Sequence, residues 1–153
     1  MTDAESQFPS EFEPEALHFP IDVNIPSDVR YIERIVGAVM RDCTQHHFAA
    51  QHCSLNVPVA LTEALSNAIL YGNREDRSKV VRFRATLDER CIVFEVGDEG
   101  AGFDLDLCTA DPTLAENVER EYGRGLYLMR SLMDHVERFT DGGNVVRLTL
   151  LRP

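Results

Sequence analysis

The chain has 153 residues, is 44% hydrophobic and 27% charged, and carries a net charge of −11. That length supports one domain with a real core and is too short for two. Five of the acids, Asp3, Glu5, Glu11, Glu13 and Glu15, lie in the first 16 residues, and no lysine or arginine stands before Arg30, which leaves −6 for the remainder; an acidic domain without a basic stripe argues against direct nucleic-acid binding and leaves protein or nucleotide as the partner class.

Residues 1–16 are polar and acidic and include two prolines, so a disordered tail is expected there, with the folded domain over 17–153. The start "MTDAESQFPSEFEPE" is acidic where a signal peptide would be basic and then apolar, and no stretch approaches the roughly 18 apolar residues of a membrane span. The expectation is therefore a cytoplasmic protein with no membrane association. Cys43, Cys53, Cys91 and Cys108 form no CxxC pair, so reduced thiols are the default.

"LHFPIDVNI" (17–25) alternates weakly and predicts a first strand. A helix follows, with Ser27 or Asp28 as N-cap and Val29, Ile32, Ile35, Val36, Val39 and Met40 at helical spacing. A second helix is predicted from about Val57 to Leu70, stopped by Gly72-Asn73. "KVVRFRATLD" and "CIVFEVGDEG" read as two strands joined by a short turn at "DER". From Glu99 to about Tyr122 no periodicity holds, and a loop of that length in a compact domain is usually a lid or binding loop. "GRGLYLMRSLMDHV" predicts a third helix with Leu126, Met129, Leu132 and Met133 on its inner face. The chain closes as a hairpin around Asp141-Gly142-Gly143. Helices separated by antiparallel hairpins indicate an α+β, two-layer sandwich: a mixed, mostly antiparallel sheet with helices on one face.

Three features carry chemistry. Glu63 and Asn67 are four residues apart, so on a helix they project together along one margin of the apolar stripe of Val57, Leu61, Ala64, Leu65 and Ala68. "DEGAGFD", from Asp98 to Asp104, follows a strand directly, and its glycines at 100 and 102 permit a sharp turn and a close approach to a ligand. Calcium is the rival reading of that loop, but its spacing fails the EF-hand pattern. "YGRGL", from Tyr122 to Leu126, lies where the long loop meets a helix, and free amides at a helix N-terminus favour an anion. His46, His47, His52, Cys43 and Cys53 crowd one segment, but their spacing matches no common zinc pattern.

In order, these features resemble the motif series of the Bergerat-fold ATPases, the gyrase, chaperone, histidine-kinase and mismatch-repair superfamily. Within it, "LTEALSNAILYGN", "FEVGDEGAGFD" and "GRGLYLMRSLMDHVE" look most like the bacterial anti-sigma-factor serine/threonine kinases, over roughly residues 17–152. The resemblance implies ATP and Mg²⁺ as cofactors. It implies Asn67 as the Mg²⁺ ligand, Glu63 as general base and Asp98 as acceptor of the adenine amino group. Gly100 and Gly102 would line the base and ribose; Gly123, Arg124, Gly125 and Leu126 would complete the nucleotide contacts at the phosphate end. It further implies an anti-sigma-factor antagonist and a sigma factor as protein partners, and, since family members often dimerise, a homodimer. One departure is visible: where the superfamily commonly has threonines in the last strand supporting the adenine-binding aspartate, this chain has Asn144 and Val145. A nucleotide-binding module that switches partners without kinase activity is the alternative function. A detached histidine-kinase catalytic domain fits less well, because no phosphoacceptor helix pair precedes the first strand.

Overall fold

The computed structural model describes residues 13–100 and 116–152, with the backbone alone for 116–123. Strands β1 (Ile21–Pro26), β2 (Val80–Leu87), β3 (Cys91–Asp98), β4 (His135–Thr140) and β5 (Asn144–Leu151) form one sheet in the order β1-β2-β3-β5-β4. Every pairing is antiparallel, so the sheet expected to be mixed is antiparallel throughout the described residues. Helices α1 (Ile32–Gln45), α2 (Val57–Asn67) and α3 (Glu116–Leu132) complete the fold.

Strand alternation assigns the two faces of the sheet. Ile25, Val81, Phe83, Ile92, Phe94 and Leu148 are buried toward the helices, whereas Asp22, Arg82, Arg84, Glu95 and Arg147 stand on the opposite face and pair among themselves. Phe83 and Phe94 stack at the middle of the core, ring centroids 6.2 Å apart. Ile35 and Val39 of α1, Leu61 and Leu65 of α2 and Met129 of α3 close over them.

Asp28 is the N-cap that the sequence offered, accepting from the Arg30 amide at 2.9 Å, and a 3₁₀ turn at Val29–Tyr31 precedes α1. The acidic segment expected to be disordered ends in a 3₁₀ turn at Pro14–Ala16, where Glu15 pairs with Arg34; residues 1–12 lie outside the described residues. Asp42, buried on α1, secures the chain leading into β1 by accepting from the Phe19 amide (2.7 Å) and bonding His18 Nδ1 (3.0 Å).

π-helical turns at His52–Asn56 and Ala68–Gly72 flank α2, so the helical run covers 21 residues. At a mean hydropathy of 1.2 it is long and apolar enough by length and composition to cross a membrane, against the expectation that no stretch approaches that length. Half of it is buried inside the fold, and Val57, Leu61, Leu65 and Ile69 supply the central stripe of the core.

Helix α3 starts at Glu116, earlier than predicted. The sequence 116–122, ENVEREY, contains no Gly or Pro, and its acids suit the positive end of a helix dipole. Gly123 and Gly125 consequently lie inside the helix, so their amides do not form an open N-terminus.

Candidate functional site

The site is assembled around the C-terminal half of α2. Amphipathic spacing buries Ala60, Leu61, Ala64 and Leu65 against the sheet and leaves Glu63 and Asn67 on the margin that meets α3. Glu63 is half-buried and Asn67 is 7% exposed. Gly125 of α3 sits directly on both. A Cβ there would lie 2.8 Å from Glu63 Oε2 and 3.4 Å from Asn67 Nδ2, so any side chain at this position would displace the Glu63 carboxylate. Leu126, next to it, is buried in the core and holds α3 down, while Arg124 is exposed. The structure thus brings Glu63, Asn67 and Gly125 together, as the motif order implied.

Beyond Asn67 the hydrogen bonding widens to the π pattern, with the Asn73 amide donating to the Ala68 carbonyl at 2.8 Å. Such turns recur at functional sites because they redirect a helix face without ending it. Here the turn carries Gly72 onto the end of β3. A Cβ on Gly72 would sit 2.2 Å from Asp98 Oδ2, one on Gly100 would sit 1.8 Å from the Gly72 carbonyl oxygen, and one on Gly143 would sit 1.9 Å from the Asp98 carbonyl oxygen. Three glycines from three segments therefore crowd around Asp98, Gly72 against its carboxylate, Gly143 against its main-chain carbonyl and Gly100 against the Gly72 carbonyl. Sequence reasoning singled out Gly100 alone; Gly72 read as a helix stop and Gly143 as a hairpin residue.

Asp98 Oδ1 accepts from the Gly100 amide (2.9 Å) and from Asn144 Nδ2 (3.2 Å). Burial pushes its pKa above the ordinary carboxylate value; the Asn144 and Gly100 bonds and the charge of Lys79 offset only part of that. The replacement of threonine by Asn144 does not leave the aspartate without a donor, because Asn144 stands opposite Asp98 in the β3–β5 register and bonds it directly.

Asn73 is the functional-region residue that sequence reasoning undervalued. It is 1% exposed, donates through Nδ2 to Ser27 Oγ (2.9 Å) and the Val80 carbonyl (3.0 Å), and accepts through Oδ1 from the Glu99 amide (2.8 Å). One side chain thereby joins the end of α2 to β1, β2 and the exit of β3. The available signal was a carboxamide directly after Tyr71-Gly72, where a simple helix stop needs none.

Asn67 and Gly72 are five residues apart, about 7–8 Å along a helix axis. The site therefore has two ends: Glu63 with Asn67, and Asp98 in its glycine enclosure. Asn67 offers an amide oxygen of the kind a hard cation accepts, and Asp98 offers a carboxylate oxygen suited to an amino group, so the residues present fit a nucleotide with its metal. Gly102 and the expected lid over 101–115 lie outside the described residues. A separate groove of about 220 Å³ on the open sheet face, lined by Arg82, Arg84, Glu95, Gly97 and Phe139, reaches Asp98 from behind. Arg82 pairs with Asp22, Arg84 with Glu95, and Glu95 also with Arg147, which makes it an ion-pair surface.

Comparison with known proteins adds independent support. Residues 25–150 match the model of the histidine kinase-like ATPase domain. The serine-protein kinase RsbW of Bacillus subtilis is 33% identical over 99 residues, covering 61% of this chain and 62% of the relative. The anti-sigma F factor of Clostridium acetobutylicum is 31% identical over 97 residues, covering 62% of this chain and 66% of that protein. The serine-protein kinase RsbW of Bacillus pumilus is 30% identical over 138 residues, covering 84% and 83%. In the first two cases the match spans slightly less than two thirds of the relative's own length.

Proposed function

The chain belongs to the histidine kinase-like ATPase family, in its branch of anti-sigma-factor serine kinases, and on that premise we propose that it binds ATP with Mg²⁺ and phosphorylates a serine or threonine of a small anti-sigma-factor antagonist. The same protein would sequester a sigma factor when the antagonist is absent. We place it in the cytoplasm, acting as one domain that begins near residue 17, and without direct contact to DNA.

The observation that carries this reading is the seating of Gly125 on Glu63 and Asn67 at one end of α2, with Asp98 enclosed by glycines at the other. Asp98 would receive the adenine amino group, and would disfavour guanine, whose corresponding group is a carbonyl. Asn67 would hold Mg²⁺ through its amide oxygen. When bound, the metal neutralises phosphate charge as the phosphoryl group is transferred. Glu63, one helical turn from Asn67 and half-buried, would accept the proton of the attacking hydroxyl. Gly123, Arg124 and Gly125 would face the phosphates from α3, and Gly102 with Gly100 would line the base and ribose.

The test is transfer from γ-labelled ATP, with Mg²⁺, to a candidate antagonist. Glu63→Gln keeps the shape of the side chain and removes the base, so phosphoserine formation should vanish while ATP affinity holds. Unchanged transfer would remove Glu63 from the chemistry. ATP binding by the wild type with no transfer to any antagonist would identify a nucleotide-dependent partner switch without kinase activity.

A further inference from the structure

The acidic N-terminal segment meets the folded domain on α1. The Phe19 amide donates to Asp42 Oδ2 at 2.7 Å. Four residues earlier Glu15 is held twice, its carboxylate by Arg34 Nη2 and its carbonyl oxygen by Arg41 Nη2, both at 2.8 Å. The chain therefore runs antiparallel to α1, and at Glu13 it points toward the start of that helix. Beside this path lies a groove of about 630 Å³ between α1 and α2, lined by Val29, Ile32, Val36, Met40, Thr62 and Ser66. Val29 is 43% exposed and Met40 half-buried, so the groove presents apolar surface to its occupant. Gly37 forms the saddle between path and groove: helical spacing puts it roughly 40–60° around α1 from Arg34 and Arg41. A Cβ on Gly37 meets nothing within 4 Å.

Residues 1–12 carry two side chains suited to this groove. Phe8 and Phe12 stand four apart, and Phe12 is three residues from the Glu15 anchor. Three residues of chain reach about 10 Å and seven about 23 Å, against about 16 Å of helix between Val29 and Met40. Glu33 also lines the groove and disfavours the segment's carboxylates there, which leaves the phenylalanines as the side chains that fit.

We propose that residues 1–12 dock back along α1 into the α1–α2 groove of the same chain, with Phe12 against its apolar floor and Phe8 following. The hold on Glu15 keeps the segment at high effective concentration beside the groove, so burial of a single ring is enough to favour occupancy. Nothing in this inference depends on the nucleotide reading.

The chain contains no tryptophan, so Phe12→Trp in the full chain supplies a single fluorescent reporter. Acrylamide should quench it about three- to tenfold less in the native protein than in the urea-unfolded chain. Nuclear Overhauser contacts from its indole to the Val29 and Val36 methyls should locate it in the groove. Adding Val29→Glu with Gly37→Glu, both at exposed positions, sets carboxylates against an apolar ring and an acidic segment; quenching should return to the unfolded level with helical circular dichroism unchanged. Equal quenching in the native and unfolded Phe12→Trp chains would overturn the proposal. So would protection without indole contacts to Val29 or Val36, which puts the ring elsewhere. Protection that rises with protein concentration would assign the groove to a second copy's segment and overturn docking within one chain.

Discussion

Gly72→Ala is a sharp test of the way α2 and β3 meet. The added methyl would lie 2.2 Å from Asp98 Oδ2, 2.3 Å from Cγ and 2.8 Å from Cβ, all far inside van der Waals contact. Asp98 has little freedom to yield, because Oδ1 is held by Gly100 and Asn144 and its backbone is paired in the sheet. The helix end has little either, since Asn73 ties it to β2 and to the residues directly after β1 and β3. Overpacking of this kind costs about 1–3 kcal/mol of stability, from which the better helix propensity of alanine returns up to about 1 kcal/mol. Displacement of the carboxylate costs more in function: losing a hydrogen bond to a charged acceptor is worth about 1.5–3 kcal/mol, or roughly 10- to 100-fold in ATP affinity. Titration calorimetry with ATP and thermal denaturation, run on the same variant, separate the two effects. Gly37→Ala on α1 is the control, because a Cβ there meets nothing within 4 Å; it should stabilise by about 0.5–1 kcal/mol and leave binding unchanged. A Gly72→Ala protein with wild-type affinity for ATP would refute the account of the enclosure.

Asp98→Asn should weaken ATP binding while raising the melting temperature of the free protein. Burial lifts the Asp98 pKa above its unfolded value, so the folded chain binds that proton more tightly. The ionised group therefore subtracts stability as pH rises beyond the unfolded carboxyl range, and the penalty is complete above its folded pKa. A pH series of melting curves should show the advantage of the Asn variant growing from acid toward neutral pH; equal curves would remove the burial argument. Asn73→Ala should destabilise the fold by about 2 kcal/mol, since it removes three hydrogen bonds and leaves the buried Ser27 Oγ short of one partner. Urea unfolding measures this, and a loss below about 1 kcal/mol would mean water replaces the side chain.

Much of this protein is legible in its linear order. Period-2 alternation in "VVRFRATL" and helical spacing from Ile32 to Met40 declared their elements, because burial selects apolar residues at positions a short local period can display. Glu63/Asn67, Asp98 with Gly100, and Gly125 were likewise visible as motifs in a fixed order. The start of α3 was misread because Gly123-Arg124-Gly125 looks locally like a helix opening, whereas the seven breaker-free residues before it extend the helix to Glu116. The roles of Gly72, Asn73, Gly143 and Asn144 could not be read locally at all. Each depends on a partner 7 to 46 residues away, namely Val80, Ser27, Glu99 or Asp98. Local propensity specifies which segments become helix or strand; the close approach of a π turn to a strand end, and the cross-strand pairing of an amide with a carboxylate, exist only once the sheet register and helix packing have placed those segments together.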